Sequence, residues 1–208
     1  SAQIMRAMGG VETLTGDMPE TPIEGTLLPE TYMTPRGMSR AALVAKMQKA
    51  QKDAIDELWE TRQKDLPIKT KQDAIILASV VEKETGVTSE RDVVAGVFIN
   101  RLKKGIRLQS DPTIIYGVSQ GEPLGRGIRQ SEIDRKTDWN TYQIDGLPKT
   151  PICNPGREAI AAVLQPAETD YIFFVADGTG GHAFAVTLDE HNKNVAKSRY
   201  IEAERASE

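Results

Sequence analysis

Residues 70–86 read TKQDAIILASVVEKETG, and they predict the helix around which the rest of the chain is arranged. Thr70 and Asp73 have the spacing of a capping box, in which each side chain accepts a hydrogen bond from the backbone of the other. Gly86 is a natural stop, because glycine adopts the left-handed conformation that ends many helices. The pattern therefore predicts a helix between these two signals.

Two glutamates near the end of this helix point in different directions. At about 100° per residue, one apolar stripe is formed by Ile76, Leu77, Val80 and Val81. Glu84 falls near the centre of that stripe, whereas Glu82 lies on nearly the opposite side. We therefore expect Glu84 to face the core or a cleft, and Glu82 to face water.

The position of Glu84 has two interpretations. A carboxyl group among aliphatic side chains loses solvation of its charged form, so its pKa rises towards the range useful to a general acid. The structural alternative is a glutamate at the rim of the stripe, paired with an Arg or Lys, which is the commoner arrangement on amphipathic helices. The helical pattern alone leaves both open.

Composition describes an ordinary globular protein with one large domain, or one domain with an appendage. The chain has 208 residues, of which 39% are hydrophobic and 27% are charged, and its net charge is −4. Because Lys and Arg are scattered, nucleic acid is not expected as a partner. No apolar run reaches the roughly 18 residues that suggest a membrane span. The start, SAQIMRAMGG, has no initiator Met and no signal peptide, which we interpret as a sign of a longer parent protein.

The single cysteine, Cys153, lies in the proline-flanked segment TPICNPG. It has no partner for an intramolecular disulfide and no neighbouring cysteines for a zinc site. No histidine is near it in sequence, which argues against a catalytic thiol.

The remaining pattern predicts an α+β fold that is mainly helical, with a small antiparallel hairpin. The predicted helices are Ser39 to about Lys64, Thr88 or Ser89 to about Lys104 with Gly105 closing it, Arg157 to Leu164, and about Asp189 to Glu204. Asp111 and Pro112 predict a turn followed by one helical turn, and residues 119–156 predict a long loop, which is more often functional than idle. The runs YIFFVAD and HAFAV, joined by GTGG, predict the hairpin over residues 171–186. The GTGG turn lacks the Gly-Lys-Ser/Thr ending of a phosphate loop.

Four blocks of sequence resemble one known family. They are EGTLLPETY at 24–32, ASVVEKETGVTSERDVVAGVFINRLKKGIRLQSDPTIIYG at 78–117, WNTYQIDGLPKTPICNPG at 139–156, and FFVADGTGGHAF at 173–184. In this order and spacing they closely resemble the YceG-like family, the membrane-anchored endolytic murein transglycosylases. The resemblance covers nearly all of residues 23–200.

The resemblance implies cleavage of the β-1,4 bond between MurNAc and GlcNAc in nascent peptidoglycan, leaving a 1,6-anhydro-MurNAc end. It places the catalytic acid at Glu84, the second glutamate of VEKET. The pair formed with Thr85 resembles the Glu-Ser pair of lysozyme-like transglycosylases, which implies a remotely lysozyme-like arrangement around the catalytic helix. A lytic transglycosylase can use one carboxyl group first as acid and then as base, whereas a glycoside hydrolase normally needs two.

Substrate-binding candidates come from the same blocks and offer amide, hydroxyl, aromatic and charged groups. They are Asn100, Arg101, Gln109, Asp111, Tyr116, Asn140, Tyr142 and His182. Structural alternatives remain for several of them. Asn100 and Arg101 could be surface polar residues at a helix end, and Asp111 could simply begin a turn.

The resemblance also implies the domain organisation and the setting. Residues 1–22 would be the tail of an upstream LysM-like module or a linker, and residues 23–208 the catalytic domain. We expect no cofactor and no metal. The expected partners are peptidoglycan glycan strands and peptidoglycan synthases (penicillin-binding proteins), and no nucleic acid. The expected location is the extracytoplasmic face of the bacterial inner membrane, reached through an N-terminal anchor outside this sequence.

Two other functions are compatible with parts of the sequence. The first is a non-catalytic module that binds peptidoglycan or recruits its synthases. The second is a pyridoxal-phosphate lyase of the aminodeoxychorismate type, although no convincing lysine and phosphate cradle accompanies it.

Overall fold

A computed structural model describes residues 1–206, so the last two residues of the predicted domain 23–208 lie outside the described part. In chain order the helices and strands are α1 (Ala2–Gly9), α2 (Arg40–Glu60), α3 (Lys71–Glu84), a 3-10 turn (Thr88–Glu90), α4 (Arg91–Lys104), α5 (Asp111–Ser119), α6 (Gln130–Ile133), α7 (Arg157–Leu164), β1 (Phe173–Ala176), β2 (His182–Ala185) and α8 (Leu188–Ala206). The prediction of a mainly helical α+β fold with one small antiparallel hairpin is confirmed.

Helix α3 lies at the centre of the fold, in contact with α2, α4, α5 and α7. The predicted capping box is present, because the Asp73 N–H donates to Thr70 Oγ1 (3.0 Å) and the Thr70 N–H donates to the Asp73 carboxylate (3.0 Å). Every residue from Ala74 to Val81 is buried. The single apolar stripe predicted from the sequence is therefore too narrow, because neighbouring helices cover this helix on several sides.

The end of α3 also differs from the prediction. The helix stops at Glu84, and Thr85 is already extended (φ −136°, ψ 131°). The Thr85 hydroxyl accepts the Val87 N–H at 3.0 Å, which turns the chain towards the next helix. Gly86 is thus not the residue that ends the helix.

The pair α3–α4 and the hairpin form one body around a shared core. Phe98 of α4 is fully buried and meets Phe174 of β1 edge to face, with ring centroids 5.8 Å apart. The predicted C-terminal glycine of α4 is confirmed, since Gly105 has φ +67°. The strands pair from Phe173 with Ala185 to Ala176 with His182, and α8 lies against both strands.

Asp111 and Pro112 begin a helix rather than a turn. Pro112 lies in the first turn of the nine-residue helix α5. Proline fits there because its fixed φ suits a helix and no intrahelical acceptor exists for an N–H at that point. Between α5 and α7, the described chain contains only the four-residue helix α6, so the predicted long loop is confirmed.

The N-terminal residues take part in a second, smaller core. It is formed by Met5, Met8, Leu14, Leu27, Leu43, Val44 and Met47, so α1 and the segment after it cover the first half of α2. The division into residues 1–22 and 23–208 stays a prediction. Within residues 1–206, none of the helices has the length and apolar content needed to span a bilayer.

Candidate active site

Glu84 is the last residue of α3, three positions after the buried run of that helix ends at Val81. Its side chain is half-buried. Burial raises the pKa of Glu84 above its ordinary value, the Ser110 hydroxyl lowers it, and the negative charge of Asp111 raises it again. Arg101, and His182 when it is protonated, lower the pKa of Glu84 by smaller amounts. Burial has the largest effect, so Glu84 holds its proton to a higher pH than an ordinary glutamic acid.

Ser110 contributes the polar side chain that acts most strongly on Glu84. Only 1% of Ser110 is exposed. Its Oγ approaches the Glu84 carboxyl group without reaching full hydrogen-bond geometry, and it has no other polar partner among the described residues. The Ser110 hydroxyl is the largest of the influences that favour the charged form of Glu84.

Tyr142 and Asp111 form a pair beside Glu84. The Tyr142 hydroxyl donates to Asp111 Oδ1 at 2.7 Å. Burial, followed by this hydrogen bond, raises the pKa of Tyr142, and the charge of Glu84 raises it further. Tyr142 therefore stays a neutral donor, and Asp111 keeps an exposed carboxylate at the start of α5.

Arg101 is 7% exposed and holds two segments of the site together. Its Nε donates to Ile172 O at 2.7 Å, before β1, and one terminal nitrogen donates to Leu108 O at 2.7 Å, before α5. Burial lowers the pKa of Arg101, and the charge of Glu84 raises it. Its other terminal nitrogen makes no hydrogen bond within residues 1–206.

His182, the first residue of β2, is held by Glu90 from the 3-10 turn. His182 Nδ1 lies 2.9 Å from Glu90 Oε2, and the His182 backbone N–H donates to Glu90 Oε1 at 3.2 Å. The imidazole also meets Phe174 edge to face, with centroids 5.4 Å apart. His182 lies within electrostatic range of Glu84, as do Arg101 and Asp111.

Three other predicted residues make structural contacts instead. Asn100 Nδ2 donates to Thr169 O (2.7 Å) and Tyr171 O (2.9 Å). Asn140 is 1% exposed, and its Nδ2 lies within hydrogen-bond distance of the Glu132, Ile133 and Arg135 carbonyls. Gln109 is exposed, has φ +49°, and donates its backbone N–H to Thr141 O at 3.2 Å. Their roles in substrate binding stay predictions.

Tyr116 lies on the wall of a cavity of about 600 Å³. Lys83 and Pro112, the chain neighbours of Glu84 and Asp111, also line it, whereas Glu84 and Asp111 are not among its lining residues. Its walls combine apolar side chains such as Ile115 and Leu124 with polar groups from Glu24 and Asn154. A volume of this size, with a few convergent polar groups, is typical of small-molecule sites.

Glu24 places a half-buried carboxyl group on the wall of this cavity and was not predicted from the sequence. Only 13% of its side chain is exposed, and Asn154 Nδ2 donates to its Oε1 at 3.2 Å. Burial raises the pKa of Tyr116, and the charge of Glu24 raises it further. The block EGTLLPETY carried the only sequence signal for Glu24, and nothing in it pointed to this cavity.

Glu82 does not face open water, contrary to expectation. Its half-buried carboxylate accepts the Gly156 N–H at 3.2 Å, at the start of α7. A negative charge there is favourable because helix N-termini carry partial positive charge. Glu82 is thus used in joining α3 to α7, away from the cluster around Glu84.

Cys153 does not have the environment of a reactive thiol. Burial raises its pKa to about 12, and its Sγ contacts Ser79 O at 3.3 Å. Residues 1–206 contain no group of three or more His, Cys, Asp or Glu side chains placed to hold a metal ion.

Comparison with known proteins gives consistent relatives. The model of the YceG-like family matches residues 2–197. An endolytic murein transglycosylase of Bacillus subtilis (strain 168) is 33% identical over 180 residues, covering 86% of this chain and 48% of the relative. An endolytic murein transglycosylase of Streptococcus pneumoniae (serotype 2, strain D39) is 34% identical over 182 residues, covering 84% of this chain and 32% of the relative. The chain therefore spans about half or less of the length of these curated relatives.

A solved structure agrees with the sequence comparisons. The crystal structure of a YceG-like protein from Listeria monocytogenes superposes with a TM-score of 0.70 at 32% sequence identity. The match covers 92% of this chain and 62% of that chain.

Proposed function

The chain belongs to the YceG-like family, and we propose from this premise that it is the catalytic part of an endolytic lytic transglycosylase acting on peptidoglycan. The observation that carries the proposal is the half-buried Glu84 carboxyl group, with its raised pKa, next in the chain to Lys83 on the wall of a cavity of about 600 Å³. A protonated carboxyl group at neutral pH is what cleavage of a glycosidic bond requires first.

In the proposed reaction Glu84 acts twice. Its proton goes to the glycosidic oxygen, so the bond from MurNAc C1 to that oxygen breaks and the GlcNAc side leaves as an alcohol. The C6 hydroxyl oxygen of the same MurNAc then bonds to C1, and its proton returns to the Glu84 carboxylate. No water is consumed, and the product carries a 1,6-anhydro ring. Intramolecular attack is favoured because the hydroxyl is already held near C1.

The neighbours of Glu84 support both protonation states. Burial favours the protonated acid, whereas Ser110 and Arg101 stabilise the carboxylate that remains after proton transfer. Asp111 supplies negative charge that would stabilise the positive charge developing on the sugar ring.

The glycan strand is proposed to run along the cavity lined by Tyr116. Aromatic and aliphatic walls suit the apolar faces of sugar rings, and Glu24 and Asn154 offer polar atoms to hydroxyl and acetamido groups. The proposed setting is the extracytoplasmic face of the bacterial inner membrane, in a longer protein with an N-terminal anchor, where the enzyme would meet nascent strands and their synthases.

The test compares two glutamate variants on intact glycan strands, with product ends measured by mass spectrometry. Glu84→Gln keeps the side-chain volume but cannot exchange a proton, so release of anhydro ends should fall by about 10²–10⁴-fold. Glu82→Gln, which can still accept the Gly156 N–H, should keep most of the activity. Loss of activity in Glu82→Gln with retention in Glu84→Gln would overturn the assignment. Strand binding without any cleavage by the wild type would instead favour a scaffold.

A further inference from the structure

Glu90 engages His182 through both carboxylate oxygens. Oε2 lies 2.9 Å from His182 Nδ1, and Oε1 accepts the His182 backbone N–H at 3.2 Å. The Glu90 side chain is only 22% exposed and that of His182 only 15%, so this pair is shielded compared with an ordinary surface contact. Glu90 thus fixes both the backbone and the ring of His182.

The geometry selects one tautomer of the imidazole. A carboxylate oxygen can only accept, so Nδ1 must carry the hydrogen. In the neutral ring, Nε2 is then the acceptor nitrogen. His182 Nε2 makes no hydrogen bond to any residue of the described chain, and the edge-to-face contact with Phe174 restrains the ring. An oriented acceptor is therefore left open to a ligand.

Gly181 is part of the same arrangement. A Cβ atom on residue 181 would lie 2.6 Å from Glu90 Oε1, closer than such atoms approach in proteins. The backbone of Gly181 does not adopt the left-handed conformation that favours glycine. A larger residue at position 181 is therefore excluded by the nearby Glu90 carboxylate and not by backbone strain. The DGTGG turn between β1 and β2 thus leaves room for Glu90 beside His182.

Two further carboxyl groups lie within electrostatic range of His182, besides Glu90, which holds it directly. Hydrogen bonds from Thr179 are the main cause that lowers the pKa of Asp177 in the hairpin turn, and burial is the main cause that raises the pKa of Glu84 at the end of α3. A protonated His182 would have only a smaller, lowering influence on each.

We propose that Glu90 is a positioning residue, which holds His182 as the Nδ1–H tautomer so that Nε2 accepts a hydrogen bond from a sugar hydroxyl beside Glu84. This inference rests on the proposed function for the identity of the ligand, but the tautomer does not depend on it. Glu90 touches neither the glycan nor the reacting atoms in this account. It acts through the orientation and the hydrogen placement of His182.

The first test is Glu90→Gln, read by ¹⁵N NMR of the imidazoles. The backbone N–H of His182 can only donate, so it takes the amide oxygen of Gln and leaves the NH₂ group against Nδ1. That arrangement favours the Nε2–H tautomer. At about pH 8.5, where an ordinary imidazole is neutral, the wild type should show Nδ1–H at His182 and the variant a shift towards Nε2–H. The chain has only two histidines, so His191→Gln assigns the signals.

The second test measures turnover. Loss of the orienting carboxylate should lower kcat by about 10–100-fold, the range typical for partners that orient a functional histidine, with a smaller change in KM. The matched control is Glu190→Gln, since Glu190 caps the start of α8 through the Val186 and Thr187 N–H groups and does not contact His182. This control should keep both the His182 tautomer and kcat.

Gly181→Ala provides a second variant in case Glu90→Gln does not fold. It displaces the Glu90 carboxylate and keeps its charge, so it should give the same tautomer change and a similar loss of kcat. An unchanged His182 tautomer in a folded variant would overturn the inference, and so would a changed tautomer with full kcat. If the wild type formed no anhydro ends, the proposed function would fail while the tautomer result still stood.

Discussion

Arg101→Lys tests whether one buried side chain holds the site together. The guanidinium bridges Ile172 O and Leu108 O, both at 2.7 Å, and so connects the start of the hairpin to the segment before α5. A lysine ammonium can reach one of these carbonyls but lacks the fork that spans both. One charge-assisted hydrogen bond is lost and one carbonyl is left unsatisfied, a cost of about 2–4 kcal/mol.

The expected change in thermal stability follows from this cost. For a domain of this size, about 1 kcal/mol shifts Tm by roughly 2–4 °C, so Arg101→Lys should lower Tm by about 4–16 °C. Activity measured well below Tm should also fall, because Leu108 leads directly to Ser110 and Asp111. The control is Lys104→Met on the same helix, at an exposed position, where the change should stay within about 0.5 kcal/mol. A Tm for Arg101→Lys within about 1 °C of the wild type would refute the bracing role.

Three further predictions concern Glu84, Gly25 and Cys153. The pKa of Glu84 is raised in the folded protein, so ionisation of Glu84 lowers the free energy of unfolding as the pH rises above the ordinary glutamate pKa, and the full loss is reached above the raised pKa. In urea unfolding, the wild type and Glu84→Gln should therefore be equally stable in acid, and the Gln variant should be more stable at neutral pH. Equal stability at both pH values would contradict the desolvation argument. Gly25→Ala should lower the free energy of unfolding in denaturant by more than about 2 kcal/mol, because Gly25 has φ +82° and a Cβ there would lie 2.6 Å from Pro151 Cγ. The control is Gly37→Ala, which has the same backbone strain (φ +86°) but no atom within 4 Å of the added Cβ. Equal losses of stability in the two variants would show that the contact with Pro151 is unimportant. Cys153, with its pKa raised to about 12, should react with a disulfide reagent at neutral pH far more slowly in the folded protein than in urea, and comparable rates in the two states would refute the burial.

The sequence was most informative where structure is determined locally. The capping box of Thr70 and Asp73 and the left-handed Gly105 involve residues within one turn of each other, so their spacing was enough to predict them. The extent of burial of α3 could not be predicted in this way. It depends on α2, α4, α5 and α7, which approach from distant parts of the chain.

The partners within the candidate site were hidden for the same reason. Glu90 and His182 are separated by 92 positions, and no periodicity connects them. Asn100 and Asn140 have the residue type that binds sugars, yet backbone carbonyls of nearby segments take their amide groups. The sequence shows which polar groups exist, whereas only the fold shows which of them are already satisfied.

The most direct test of the central claim is digestion of intact glycan strands in H₂¹⁸O, followed by mass spectrometry of the new ends. If Glu84 serves as both acid and base for attack by the C6 hydroxyl, the new ends should have the mass of 1,6-anhydro-MurNAc and contain no ¹⁸O. Reducing MurNAc ends that carry ¹⁸O would show that water is the nucleophile, and they would contradict the single-carboxyl mechanism.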